Sequence, residues 1–132
     1  MKIPSENELD RIRKEYPVGT IIELISMSDK FAPPKGTLGE IIGVDDLGDL
    51  EMLWSTGSSL KVILSEDRIR KVNGAITICY GHREYWHSRK EAADYFLEGL
   101  CATEGSESER YSKIYADLIC GKTVCSDEYE DL

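Results

Sequence analysis

The chain of 132 residues has only two histidines and four cysteines, and its 16 Lys+Arg are outnumbered by 25 Asp+Glu. Each shortage removes a class of function. Proteins that wrap nucleic-acid phosphates are normally basic. A net charge of −9 therefore disfavours direct nucleic-acid binding, and suits either a basic protein partner or plain solubility. No apolar run approaches the roughly 18 residues expected of a membrane span. Residues 1–8 are polar and offer no apolar stretch for a secretory signal, so the expected location is the cytoplasm. There, Cys79, Cys101, Cys120 and Cys125 are expected to stay unpaired. Cys79, His82 and His87 lie close in sequence, but no Cys-x-x-Cys or His-x-x-x-His pair supports a zinc site. No metal or cofactor is expected, and Cys101 and Cys120 are read as core residues at helix ends. No local signature of a Cys–His nucleophile is present, so the protein is not expected to be an enzyme. Gly36, Gly39 and Gly43 lie in and before a strand, where they permit bends; a phosphate loop would need a helix after them.

What is present is a set of short, well-punctuated elements. Ser5 and Glu8 form a capping box, and Leu9, Ile12 and Tyr16 follow on one helical face until Pro17, which predicts a helix over about 6–15. Strand-forming runs follow at 20–25, 38–44, 49–54, 59–64 and 68–72, broken by a Pro-rich loop at 26–36 and by turns at 45–48, 55–58 and 65–67. Five short strands in so little chain suggest a small, strongly bent barrel. Beyond Asn73-Gly74, residues 76–80 and 84–87 read as a hairpin turning at Gly81-His82-Arg83. Two capping boxes, Ser88/Glu91 and Ser106/Glu109, then open two helices. Ala92, Ala93, Phe96, Leu97 and Leu100 line the first. Tyr111, Ile114, Tyr115, Leu118 and Ile119 line the second, with Gly121 as its C-terminal cap.

The expected fold class is thus α+β: a short helix and a small SH3-like barrel (residues 1–73), a β-hairpin plus two helices (74–125), and a mobile acidic tail (126–132). The alternative is one continuous fold, because each half alone has a marginal core.

Several separated motifs occur in a familiar order: Tyr16-Pro17-Val18-Gly19-Thr20, Glu23-Leu24-Ile25-Ser26-Met27, Ala32-Pro33-Pro34-Lys35-Gly36-Thr37-Leu38-Gly39, Gly43-Val44-Asp45-Asp46 and Trp54-Ser55-Thr56-Gly57-Ser58-Ser59-Leu60. Residues 10–72 in this respect resemble a family of small domains of unknown function from phages, plasmids and conjugative elements, mostly of Firmicutes. That resemblance implies a barrel similar to the KOW and Tudor types. Ser88-Arg89-Lys90-Glu91-Ala92, residues 104–111 and Cys125-Ser126-Asp127-Glu128 resemble a ββαα segment of small proteins from the same elements. The implied role is a non-catalytic mobile-element accessory protein in the host cytoplasm. It would bind and inhibit a host defence complex, in the manner of anti-CRISPR proteins that act on a CRISPR–Cas nuclease. The alternative is an adaptor that binds peptide or nucleic acid during replication or conjugation.

Candidate contact residues follow from chemistry. Phe31 lies in the Pro-rich loop, where an aromatic is expected to be exposed; Trp54 ends a strand of the same barrel and is either a second groove aromatic or, more commonly for such a position, partly core. Tyr85 and Trp86 alternate along a strand, so Trp86 either faces out or packs under the helices. Glu104, Glu107, Glu109, Asp127 and Glu128 lie in an acidic stretch that either faces a basic partner or is only solvated.

Overall fold

The computed structural model describes residues 3–129 and divides into two compact units, the first running to Val72 and the second starting at Asn73. In the first unit, helix α1 (Glu6–Glu15) starts where Ser5 accepts a hydrogen bond from the Glu8 amide. It is followed by strands β1 (Ile21–Ser26), β2 (Leu38–Val44), β3 (Leu50–Trp54) and β4 (Arg68–Lys71). These form one antiparallel sheet in the order β3-β2-β1-β4. The register shifts between Leu24 and Ser26 in β1 and between Ile41 and Gly43 in β2, and irregularities of this kind bend a sheet. Across β1 and β4, Arg70 donates to both carboxylate oxygens of Glu23 at 2.9 and 2.8 Å. The bent face encloses Ile22, Leu24, Ile41, Leu50, Met52, Trp54 and Val62.

Residues 59–64 differ from the expected strand. Only Val62 pairs, through a bridge to Leu50. Other backbone groups of the segment are met outside a ladder: the Trp54 indole donates to the Leu60 carbonyl at 2.8 Å, the Ile63 amide donates to Asp67 at 2.8 Å, and the Ile63 carbonyl accepts from the amides of Glu66 and Asp67. With those groups satisfied, a continuous ladder is not required.

Gly39 has a packing role in addition to any bend. A Cβ there would lie 2.6 Å from Cε3 of the buried Trp54 ring and 2.9 Å from Cε of Met52. The Gly39→Ala variant is expected to lose about 1–3 kcal/mol through overpacking. The check is the chemical-denaturation midpoint of the first unit; an unchanged midpoint would mean that the indole shifts freely and the packing argument fails.

In the second unit, β5 (Ala75–Cys79) and β6 (His82–Trp86) form an antiparallel hairpin. Its two-residue turn is Tyr80-Gly81, one step earlier than expected, with φ of 51° and 76°. Positive φ at both central positions matches the twist of a tight hairpin, though tyrosine rarely occupies such a position. Helix α2 (Arg89–Ala102) begins at the expected cap, where Ser88 accepts from the Glu91 amide. Helix α3 (Gly105–Ile119) does not use the Ser106/Glu109 box: its N-cap is Glu104, with no side-chain cap bond. At its other end, Gly121 (φ 88°) donates to the Leu118 carbonyl and Lys122 to that of Asp117, a Schellman arrangement. Arg89 adds bonds to the carbonyls of Leu118 and Lys122 at 2.8 and 2.7 Å.

The core of this unit is Ala75, Ala92, Phe96, Ile114, Leu118 and Cys125, so the helices pack on their own hairpin. Ile119, expected on the buried face, is exposed, and so is Leu97. Cys101 and Cys120 are also exposed, and Cys125 is the buried cysteine. The expected tail begins instead as a strand: β7 (Val124–Ser126) lies parallel to β5, with Ile76 opposite Val124. Glu128 and Tyr129 are exposed, and the remainder of the expected tail, 130–132, lies outside the described residues.

Candidate functional site

A groove of about 770 Å³ opens on the first unit, within the size range of ligand pockets. Three separate stretches build it. The first wall is the loop after β1. Asp29 accepts from the Phe31 amide at 2.7 Å, and the Ala32 amide donates back to the Asp29 carbonyl, which closes a local turn. Further on, Gly36 donates to the Leu24 carbonyl and Leu24 to that of Thr37, so the loop exit is tied to β1. Phe31 is thereby held on an anchored loop with 74% of its surface exposed, and the Lys30 ammonium sits 5.0 Å from its ring centroid.

The opposite wall is residues 58–63. Trp54 holds it: the ring is 1% exposed, packs on Gly39 and donates to the Leu60 carbonyl. Trp54 was a candidate contact, and the structure makes it a brace behind the groove instead, because its indole is spent inward. The apolar lining is Met27, Phe31, Leu60 and Ile63.

The charged lining comes from the acidic turns. Asp29, Asp49, Glu66 and Asp67 face the groove with a single cation, Lys61. Lys61 is engaged by Asp45 at 2.8 Å. Burial tends to raise the Asp45 carboxyl, but Lys61 and the amides of Asp49 and Leu47 outweigh it and hold it below the usual carboxylate range. Asp49 goes the other way: burial first, then the neighbouring charge of Asp45, raise it above its ordinary value; Lys61 opposes them, and Asp67 and Glu66 add to the rise. The groove therefore carries uncompensated negative charge beside an exposed aromatic ring. Of these residues the sequence reading identified only Phe31. The signal for the rest was the pair of acidic turns at 45–49 and 66–67 flanking the second wall.

The sequence model of a family described as a domain of unknown function (DUF4314) matches residues 5–72. The chain belongs to that family. The whole groove, residues 27–67, lies inside the DUF4314 match. No curated protein and no solved structure matches the chain.

The other candidates lie outside this DUF4314 segment, in the second unit. Trp86 is half-buried. Its indole donates to the buried Thr77 hydroxyl at 2.8 Å, and its ring lies 5.5 Å from that of Tyr95 and 6.3 Å from that of Phe96. Asp127 does not join an acidic surface: its side chain is 1% exposed. It accepts from the Tyr80 amide and from Arg110, both at 2.8 Å. Glu104, Glu107, Glu109 and Glu128 are exposed.

His82 and His87 are exposed, and among the described residues no group of three His, Cys, Asp or Glu side chains is placed to hold a metal ion. Burial, then the charge of Asp127, raises the Cys79 thiol above its ordinary value. Burial pushes the Cys125 thiol up to about 11. Neither presents a thiolate at neutral pH, the form that nucleophilic attack requires.

Proposed function

We propose that this protein is a non-catalytic binding module of a mobile genetic element, and that the acid-rimmed groove of its first unit takes a basic protein partner. The single observation behind this reading is Phe31. A large apolar side chain stands exposed on an anchored loop, at the lip of a groove with four carboxylates and one ammonium. Aromatic anchors in defined recesses carry much of the energy of protein contacts. Opposite charge around them gives on-rate and selectivity. On the same reading the bent sheet is an SH3-like barrel whose expected fourth strand, 59–64, is reduced to the Leu50–Val62 bridge, a scaffold suited to an adaptor in replication or conjugation.

A second reading, inhibition of a host defence nuclease by an acidic surface, is favoured by the exposure of Glu104, Glu107, Glu109 and Glu128 in the second unit. One experiment separates the two. Tagged full-length protein is used to capture partners from host lysate after nuclease treatment, beside a Phe31→Ala variant and a variant with those four glutamates changed to Gln. Loss of a specific partner with Phe31→Ala alone supports the groove. Loss of a CRISPR–Cas nuclease with the glutamate variant, and not with Phe31→Ala, assigns the contact to the acidic second unit and removes the groove reading.

A further inference from the structure

Building on the groove reading, we infer that the bound element is a short extended peptide in which arginine side chains alternate with apolar ones. The apolar lining, Met27, Phe31, Leu60 and Ile63, requires apolar groups from the ligand. The carboxylates of Asp29, Asp49, Glu66 and Asp67 require positive charge. A divalent ion does not satisfy them, because no three acidic or imidazole groups among the described residues gather at metal-binding separation. A nucleic acid has the wrong sign. Cations distributed along a chain, with apolar groups between them, match both sets.

Two details favour arginine over lysine. Lys30 already places an ammonium over one face of Phe31, so the ring accepts a cation. A planar guanidinium stacks on such a ring and forks onto carboxylates, which an ammonium cannot do. Asp49 is the natural recipient: no side-chain donor reaches its carboxylate among the described hydrogen bonds and ion pairs, and Lys61, the groove's own cation, is held by Asp45. Burial, and then the charge of Asp45, only partly offset by Lys61, make its charge costly in the free protein, and an incoming guanidinium relieves that cost.

The test uses full-length protein and two synthetic peptides, one alternating arginine with leucine and one with citrulline at each arginine position. Citrulline keeps the shape and removes the charge. Affinity is measured by calorimetry and the site is mapped by amide chemical shifts. The arginine peptide is expected to bind at least about tenfold more tightly than the citrulline peptide, with shifts at Phe31, Asp49 and Ile63. Asp49→Asn is expected to remove most of that difference while raising the melting temperature of the free protein, because the crowded charge is gone. Phe31→Ala is expected to weaken both peptides. Equal binding of the two peptides, no binding of the arginine peptide, full affinity in Asp49→Asn, or shifts confined to residues beyond Val72 would each overturn the inference. If the peptides bind equally but Phe31→Ala still abolishes partner capture, the groove reading survives and only its arginine chemistry fails.

Discussion

Trp54→Ala is expected to cost the first unit about 3–5 kcal/mol, the range for deleting a large aromatic from a packed core. A domain of about 70 residues has only roughly 4–10 kcal/mol of stability in total, so this substitution takes most of it. Two losses combine. The cavity opens among the buried side chains of Ile22, Leu24, Ile41, Leu50, Met52 and Val62. The Leu60 carbonyl also loses its indole donor, so the second groove wall is released from β3. Trp54→Phe separates the two effects. It retains most of the ring and loses the hydrogen bond, and is expected to cost about 1–2 kcal/mol, chiefly from the unpaired carbonyl. Guanidinium titrations followed by fluorescence are the check. The protein has two tryptophans, one in each unit, so with Trp54 replaced the emission reports the second unit through Trp86 alone, and far-UV circular dichroism, which sums both units, gives the first by difference. A loss below about 1 kcal/mol for Trp54→Ala would show that the core closes over the gap, contrary to the packing described.

Asp127→Ala is expected to cost the second unit about 2–4 kcal/mol, because two charge-assisted hydrogen bonds to a buried carboxylate disappear together. One of them is the Tyr80 amide, at the turn where tyrosine occupies a left-handed conformation. The other is Arg110, whose guanidinium also lies 4.4 Å from the Tyr80 ring centroid. Asp127→Asn can still accept from the amide but loses the charge that faces Arg110, so it is expected to fall between Ala and the parent. Burial works to raise this carboxyl, but the Tyr80 amide and Arg110 outweigh it and hold its pKa below the ordinary value. The folded pKa is therefore the lower one. The stabilisation is complete above the unfolded value of about 3.9 and is lost as pH falls through the folded value. Stability measured from neutral pH down to about pH 3 should decline more steeply in the parent than in Asp127→Asn over the acid end of that range. Parallel curves would mean that Asp127 does not carry this dependence.

Helix α1 was legible at both ends, because a capping box and a proline state its limits locally. The same holds for β2, bounded by a loop and an acidic turn. Residues 59–64 were misread because their alternation resembles a strand, while the groups that replace its ladder, the Trp54 indole and the Asp67 carboxylate, lie outside that segment. Asp127 was misread for a related reason. An acid among acids looks solvated, and nothing nearby in sequence points to Tyr80 or Arg110, which reach it only through the fold. Exposure of Phe31 could be anticipated from its place between breakers; the groove it borders could not. Asp49 and Ile63 meet Phe31 only after the sheet has bent, and no local pattern encodes that meeting.

The parallel pairing of β7 with β5 has a consequence for synthesis. When a ribosome makes this chain, the hairpin and both helices emerge while the open edge of β5 still awaits Val124 to Ser126. The second unit cannot complete its core until Cys125 arrives, nor fix the Tyr80 turn until Asp127 does. A frameshift or cleavage just after Gly121 would therefore leave more than a shortened protein. It would leave a nascent fragment with a bare strand edge and a gap in its core, open to wrong pairing and to the proteases that clear such fragments.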